Sequence, residues 1–224
     1  VNHPITRALL WAPPLLWACF SALAAQPPKG FREIADGPAI HLDLKYATLE
    51  NFTGQNVYGD FRSCFLQETA AKMIGRAAEI TSRDHPGWKL RIYDCLRPRS
   101  VQRKLWEVVK GTSKQPYVAN PETGSIHNYG FAVDLTLEDE RGEVLDMGTS
   151  FDDFSPLSEP QREERFLKEK KLSNRQLQNR KLLRATMIEA GFIQLPLEWW
   201  HYDALPKKEV RRKHSIIEEV RIKP

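Results

Sequence analysis

Short runs of alternating hydrophobicity interleave irregularly with longer runs of helical period in this chain, and that irregularity restricts the folds open to it. Ile40, Leu42, Leu44 and Tyr46 alternate with His41, Asp43 and Lys45, the period of a half-buried strand. From about Arg62 to Arg83, Phe65, Met73, Ala77 and Ile80 recur at helical spacing, and Asp84-His85-Pro86-Gly87 ends the run. Leu90 to Asp94 reads as a short strand. Pro98 suits a first helical position ahead of the stripe Val101, Leu105, Trp106 and Val109. Phe131, Val133, Leu135 and Leu137 form a further strand, with Ala132 and Asp134 on its other face. Arg162 to Lys171 reads as a solvated helix, Ser173 as the cap of a helix running to about Ala190 with Gly191 at C′, and residues 192–203 as extended. There is no βαβ rhythm, no GxGxxG and no GxxxxGK, so the expected class is α+β, a mainly antiparallel sheet flanked by helices.

Four segments are expected along the 224 residues. Residues 1–25 read as a signal peptide: Arg7, the uncharged stretch from Ala8 to Ala25, and a small-residue cleavage site at Ala22-Leu23-Ala24. Pro13-Pro14 argues against a spanning helix, so no stable membrane insertion is expected once the signal is removed; lipid anchoring through Cys19 is the lesser alternative. Residues 26–38 read as a linker, 39–206 as the domain, and 207–224 as a basic tail forming a solvated terminal helix. A net charge of +4 is too small to imply a nucleic-acid partner. Export to the periplasm or beyond would carry Cys64 and Cys95 into an oxidising compartment, where a bridge would contribute about 3–4 kcal/mol; the alternative is two buried thiols.

Two segments carry candidate chemistry. In Ser125 to Asp134 a histidine, His127, precedes a glycine turn, and Asp134 follows on a strand. In Glu198-Trp199-Trp200-His201 a carboxylate and an imidazole stand three residues apart among aromatics. His127, Asp134 and His201 could fill three positions of a tetrahedral zinc site, with water in the fourth and Glu198 as the base that takes its proton. Each histidine could equally be a packed core residue. HExxH and GxSxG are missing, which removes the helix-borne zinc peptidases and the serine hydrolases of that signature.

The chain resembles the D-alanyl-D-alanine dipeptidases, zinc peptidases related to the D,D-carboxypeptidases and to the hedgehog domain. The resemblance rests on Asp43 to Thr48 with Asn51 to Gly54, Asp94-Cys95-Leu96-Arg97-Pro98, the SxHxxGxAxD run from Ser125, Met147-Gly148 with Phe151-Asp152, and Glu198 to His201. It implies the hedgehog/D,D-peptidase-like fold and one zinc ion per chain on His127, Asp134 and His201. It further implies Glu198 as general base, Arg97 as the group that stabilises the oxyanion, and a pocket for a small dipeptide lined by Tyr46, Ser125 and Asp152. Asp152 is suited to hold a free ammonium. The alternatives are an ion pair with Asp94 for Arg97, loop capping for Asp152 and core packing for Tyr46.

Leu96 stands where the family usually has tyrosine, a change expected to loosen one pocket wall. Many relatives act in the cytoplasm, whereas an export signal here points to turnover or salvage of wall-derived dipeptide. Competing readings are a D,D- or L,D-carboxypeptidase acting on peptidoglycan stems and an inactive zinc-bearing binding module. A binding module needs neither a base nor an oxyanion donor, so Glu198 and Arg97 together favour an enzyme.

Overall fold

The computed structural model describes residues 25–221; the expected signal segment up to Ala24, with Cys19, lies outside the described residues. The described chain is built on a five-stranded sheet of order β2-β4-β5-β7-β6, made of β2 (Ile40–Leu42), β4 (Lys89–Asp94), β5 (Ala132–Glu138), β6 (Ile193–Gln194) and β7 (His201–Asp203). Only the β2–β4 pairing is parallel. A two-stranded antiparallel sheet joins β1 (Phe31–Ile34) to β3 (Cys64–Gln67). Five helices complete the α+β architecture: α1 (Glu68–Asp84), α2 (Arg99–Val109), α3 (Glu163–Lys168), α4 (Asn174–Glu189) and α5 (Lys207–Lys213).

The central strand β5 is buried at all seven residues although its sequence alternates. Neighbours on both edges and cover on both faces turn a pattern that normally marks one wet face into an interior strand with Asp134 inside. The α1 stripe Ala70, Ile74, Ala77, Ala78 and Thr81 is buried at helical spacing. Ser173 caps α4 as expected, and the cap is a full capping box: Ser173 accepts from the Gln176 backbone N–H and Gln176 accepts in turn from the Ser173 N–H.

Four expectations change. Residues 26–38 do not serve purely as a linker, since Phe31–Ile34 pairs residue for residue with Cys64–Gln67; that pairing also draws the first residues of the expected helix from Arg62 into a strand. Leu44 and Tyr46 do not continue β2, because Lys45–Ala47 closes into a 3₁₀ turn that buries Tyr46. The tail beyond residue 206 is not a solvated appendage. Val210 of α5 is fully buried, and Ile216, Ile217 and Val220 pack on the core. The Ile217 N–H donates to the Asn128 carbonyl (2.8 Å) and the Arg99 N–H to the Ile217 carbonyl (2.9 Å). The tail thus clips together the start of α2 and the turn that bears His127. Among the described residues no helix is long and apolar enough to cross a membrane.

Candidate metal centre and substrate pocket

Antiparallel register does much of the assembly. Asp134 on β5 stands directly opposite His201 on β7 and, across the other edge, opposite Asp94 at the end of β4. His127 arrives from a 3₁₀ turn, Ile126–Tyr129. Ser125 caps that turn, its Oγ accepting from the His127 N–H (3.3 Å), while Asn128 Oδ1 accepts from the Ser125 N–H (2.7 Å). Asn128 also donates to the Arg97 carbonyl (2.7 Å), and the Arg97 N–H donates to the His127 carbonyl (3.2 Å). The turn exits through Gly130 at φ 72°, where a Cβ would run into the Phe31 ring; both the dihedral and the close approach demand glycine.

Three ligand atoms converge in the interior. His127 Nε2 lies 3.1 Å from His201 Nδ1 and 3.2 Å from Asp134 Oδ1, and His201 Nδ1 lies 3.0 Å from that same oxygen. A tetrahedral ion bound at about 2.0–2.1 Å would have ligand-to-ligand edges of roughly 3.3 Å, so the triangle has the size of one tetrahedral face. The hydrogen bonds on the far side of each ring decide which nitrogen carries a proton. His127 Nδ1 faces the Cys95 carbonyl at 2.7 Å, which can only accept, so in the neutral ring Nε2 keeps its lone pair. His201 Nε2 faces Asp203 Oδ1 at 2.8 Å, leaving Nδ1 as its inward lone pair. With both rings neutral, two lone pairs and a carboxylate oxygen point at one spot and call for positive charge there, either a proton on His201 Nδ1 or a metal ion that displaces it, and His127, Asp134 and His201 therefore form a possible metal site.

The electrostatics agree. Burial disfavours the Asp134 anion, yet His127 and His201 outweigh it and hold the carboxyl well below its usual range. Burial also opposes charge on His201, but Asp203 and Asp134 push its pKa up to about 10. Glu198 Oε2 lies 3.9 Å from His201 Nδ1, and burial raises that carboxyl to about 7, with His201 pulling the other way.

Arg97 lies against the same triangle. Its Nε (2.9 Å) and Nη2 (2.6 Å) donate to Asp94 Oδ2, its Nη1 to Gln102 (3.1 Å), and Nη2 faces Asp134 Oδ2 at 3.4 Å. The ion pair with Asp94 is therefore present, and it orients a guanidinium that still lines the pocket. Asp94 is held in turn by the Tyr58 hydroxyl. Tyr46 sits beneath Arg97, ring centroid 4.7 Å from Cζ, and its hydroxyl donates to Asp152 Oδ1 (3.0 Å). Asp152 adopts φ 60°, a strained conformation for this residue, and its other oxygen accepts from the Phe52 N–H (3.3 Å). Burial, helped by Asp134, pushes its carboxyl well above the usual range.

Tyr46, Arg97, Ser125, His127, Asp134, Asp152, Glu198 and His201 all line one cavity of about 320 Å³. Leu96 does not line it: its side chain is buried in the core, so the departure at that position leaves the pocket wall intact. The Cys64 and Cys95 sulfurs lie 1.91 Å apart, next to the Cys95 carbonyl that fixes His127. Asp203, Tyr58, Gln102 and Asn128 were not singled out from sequence. Asp203 was the most accessible of them, standing two residues beyond His201 on the same strand face.

Comparison with known proteins places these features in a family. The sequence profile described as D-ala-D-ala dipeptidase matches residues 29–219. The chain is 34% identical to the D-alanyl-D-alanine dipeptidase of Escherichia coli (strain K12), over 74% of this chain and 79% of that one. It is 30% identical to that of Enterococcus faecalis (73% and 85%) and 31% identical to that of Streptomyces coelicolor (73% and 85%). With the profile covering most of the described residues, the chain belongs to the D-ala-D-ala dipeptidase family of zinc metallopeptidases.

Proposed function

We propose that this protein hydrolyses the dipeptide D-Ala-D-Ala to two D-alanines, with one zinc ion held by His127, Asp134 and His201. Bound there, zinc supplies a Lewis acid and makes water a nucleophile near neutral pH. Glu198 takes the proton of the attacking water and returns it to the departing amine; its burial and its position 3.9 Å from His201 support that role. Arg97, its fork locked by Asp94 and Gln102, donates to the carbonyl oxygen as that atom gains charge. Asp152, oriented by Tyr46, receives the substrate ammonium.

One observation carries the dipeptide reading. The cavity that holds the ligand triangle also holds a buried acid, Asp152, with no Lys or Arg paired to it among the described residues. A substrate ammonium would supply the missing cation and bring the carboxyl back to its charged form. An acylated stem peptide has no such group to offer. Export supports a salvage or turnover role: the apolar segment from Ala8 and the close approach of Cys64 to Cys95 both suit an oxidising compartment such as the periplasm.

The test is D-alanine release by the purified zinc-loaded protein from D-Ala-D-Ala and from its N-acetylated form in parallel. Cleavage of the free dipeptide with at least a hundredfold preference is expected. Preference for the acetylated substrate would replace this reading with a carboxypeptidase, and inertness toward both in zinc-replete protein would leave a binding module.

A further inference from the structure

A zwitterionic dipeptide brings an anion as well as a cation into the pocket, and Asp152 provides only for the cation. Three Lys or Arg side chains line the cavity: Arg97, Lys207 and Arg211. Arg97 is engaged by Asp94 and Gln102 and faces the ligand triangle, which leaves it committed to the scissile carbonyl. Lys207 and Arg211 have no carboxylate partner among the described residues.

Their placement is specific. At i and i+4 on α5 they share one helix face, and that face borders the cavity. Lys208 and Arg212, on the same helix, do not line it, and Lys213 is paired with Glu209 (2.5 Å). Arg211 is braced, its Nη2 donating to the Gly124 carbonyl (3.1 Å) just ahead of the turn that bears Ser125 and His127. Burial of Val210 between the two cations holds the helix in place.

We propose that Lys207 and Arg211 form the carboxylate-recognition site of this pocket and bind the C-terminal carboxylate of the dipeptide, an inference that rests on the dipeptidase reading. The helix read from sequence as a basic tail then sets specificity for a free C-terminus. Charge-assisted hydrogen bonds from two cations to one carboxylate, both partly screened by solvent, correspond to a change of about 10–100-fold in apparent substrate affinity.

The experiment is steady-state kinetics of the full zinc-loaded chain on D-Ala-D-Ala and on D-Ala-D-Ala amide, which lacks the carboxylate. The variants are Lys207→Ala, Arg211→Ala, their combination, and the charge-preserving Lys207→Arg and Arg211→Lys. The double variant should raise KM for the free acid about 10–100-fold with a much smaller change in kcat, while the amide changes less than threefold. The charge-preserving variants should recover most of the affinity. Added salt should raise KM in the parent protein and have little effect in the double variant. The Lys207 side chain makes no hydrogen bond or ion pair among the described residues, so the KM of Lys207→Ala is informative even if loss of the Arg211–Gly124 contact perturbs the turn. Equal losses on acid and amide, or unchanged KM for the acid in an otherwise active double variant, would overturn this proposal and leave the dipeptidase reading standing. A parent protein that cleaves neither substrate would overturn both.

Discussion

Asp203 does not line the pocket and offers no inward ligand atom, yet its substitution should change how metal affinity depends on pH. The carboxylate accepts from His201 Nε2 at 2.8 Å and heads the charges that push His201 up to about 10. In the metal-free protein His201 is therefore protonated at neutral pH, and a metal must displace that proton. Apparent affinity should rise about tenfold per pH unit from 6 to 9, with about one proton released on binding. Asp203→Asn acts in two opposing directions. It removes the partner that makes His201 a better ligand, a loss of about 10–100-fold in intrinsic affinity. It also lowers the His201 pKa, which weakens proton competition. The two effects offset at acid pH and separate at alkaline pH, so the deficit should be smallest near pH 6, grow as pH rises and reach the full 10–100-fold only above about pH 10. Competition with a chromophoric zinc chelator at each pH measures this directly. A parent affinity that is flat between pH 6.5 and 8.5, or a variant whose deficit is the same at every pH, would refute the reasoning. The metal-free protein supplies a second readout. A raised histidine pKa contributes stability that is fully present below about 6.5 and lost as pH rises through about 10, so Asp203→Asn should destabilise the metal-free protein at pH 6–7 and much less above pH 10.

Glu198→Gln should keep its zinc, by metal analysis of the purified variant, while kcat falls about 10²–10⁴-fold; unchanged turnover would remove Glu198 from the mechanism. The acid limb of the parent kcat/KM profile should fall at or below the value of about 7 that burial imposes on Glu198, because a bound dication favours the carboxylate, and activity should be lost as pH drops through that limb. Asp152→Asn should raise KM for D-Ala-D-Ala at least tenfold and leave the low rate on the N-acetylated form nearly unchanged; equal effects on both substrates would point to a structural role instead. Replacing Cys64 and Cys95 together by serine should lower unfolding stability in urea by about 3–4 kcal/mol; an unchanged midpoint would show that the two sulfurs are not bridged.

Local chemistry was readable along the chain wherever neighbours in sequence are neighbours in space. The Ser173 cap, the helices at α1 and α2 with Ala77, Ile80, Val101, Leu105 and Val109 buried, and the strand at β5 follow from period and propensity, whereas Phe65 of the expected helical stripe lies in β3 and β5 is buried on both faces. The ligand candidates were also evident, because His127, Asp134, Glu198 and His201 sit in two short segments where imidazoles and carboxylates stand close together beside a glycine turn or an aromatic pair. Other features were not readable, since they depend on pairing between distant segments. Phe31–Ile34 is a strand only because Cys64–Gln67 lies beside it, and an isolated four-residue stretch near Pro and Gly carries no signal of that partner. Lys207 and Arg211 read as tail residues until Val210, Ile216 and Ile217 bury against the core and turn one basic face toward the cavity. Asp203 acquires its bearing on His201 only once β7 is extended and places both side chains on one face. The residue types and spacings in the sequence thus settled which groups could bind a metal and which turns would present them. Tertiary packing alone decided that two lone pairs and a carboxylate meet within 3.2 Å, because register, burial and far-side hydrogen bonds arise between segments tens of residues apart.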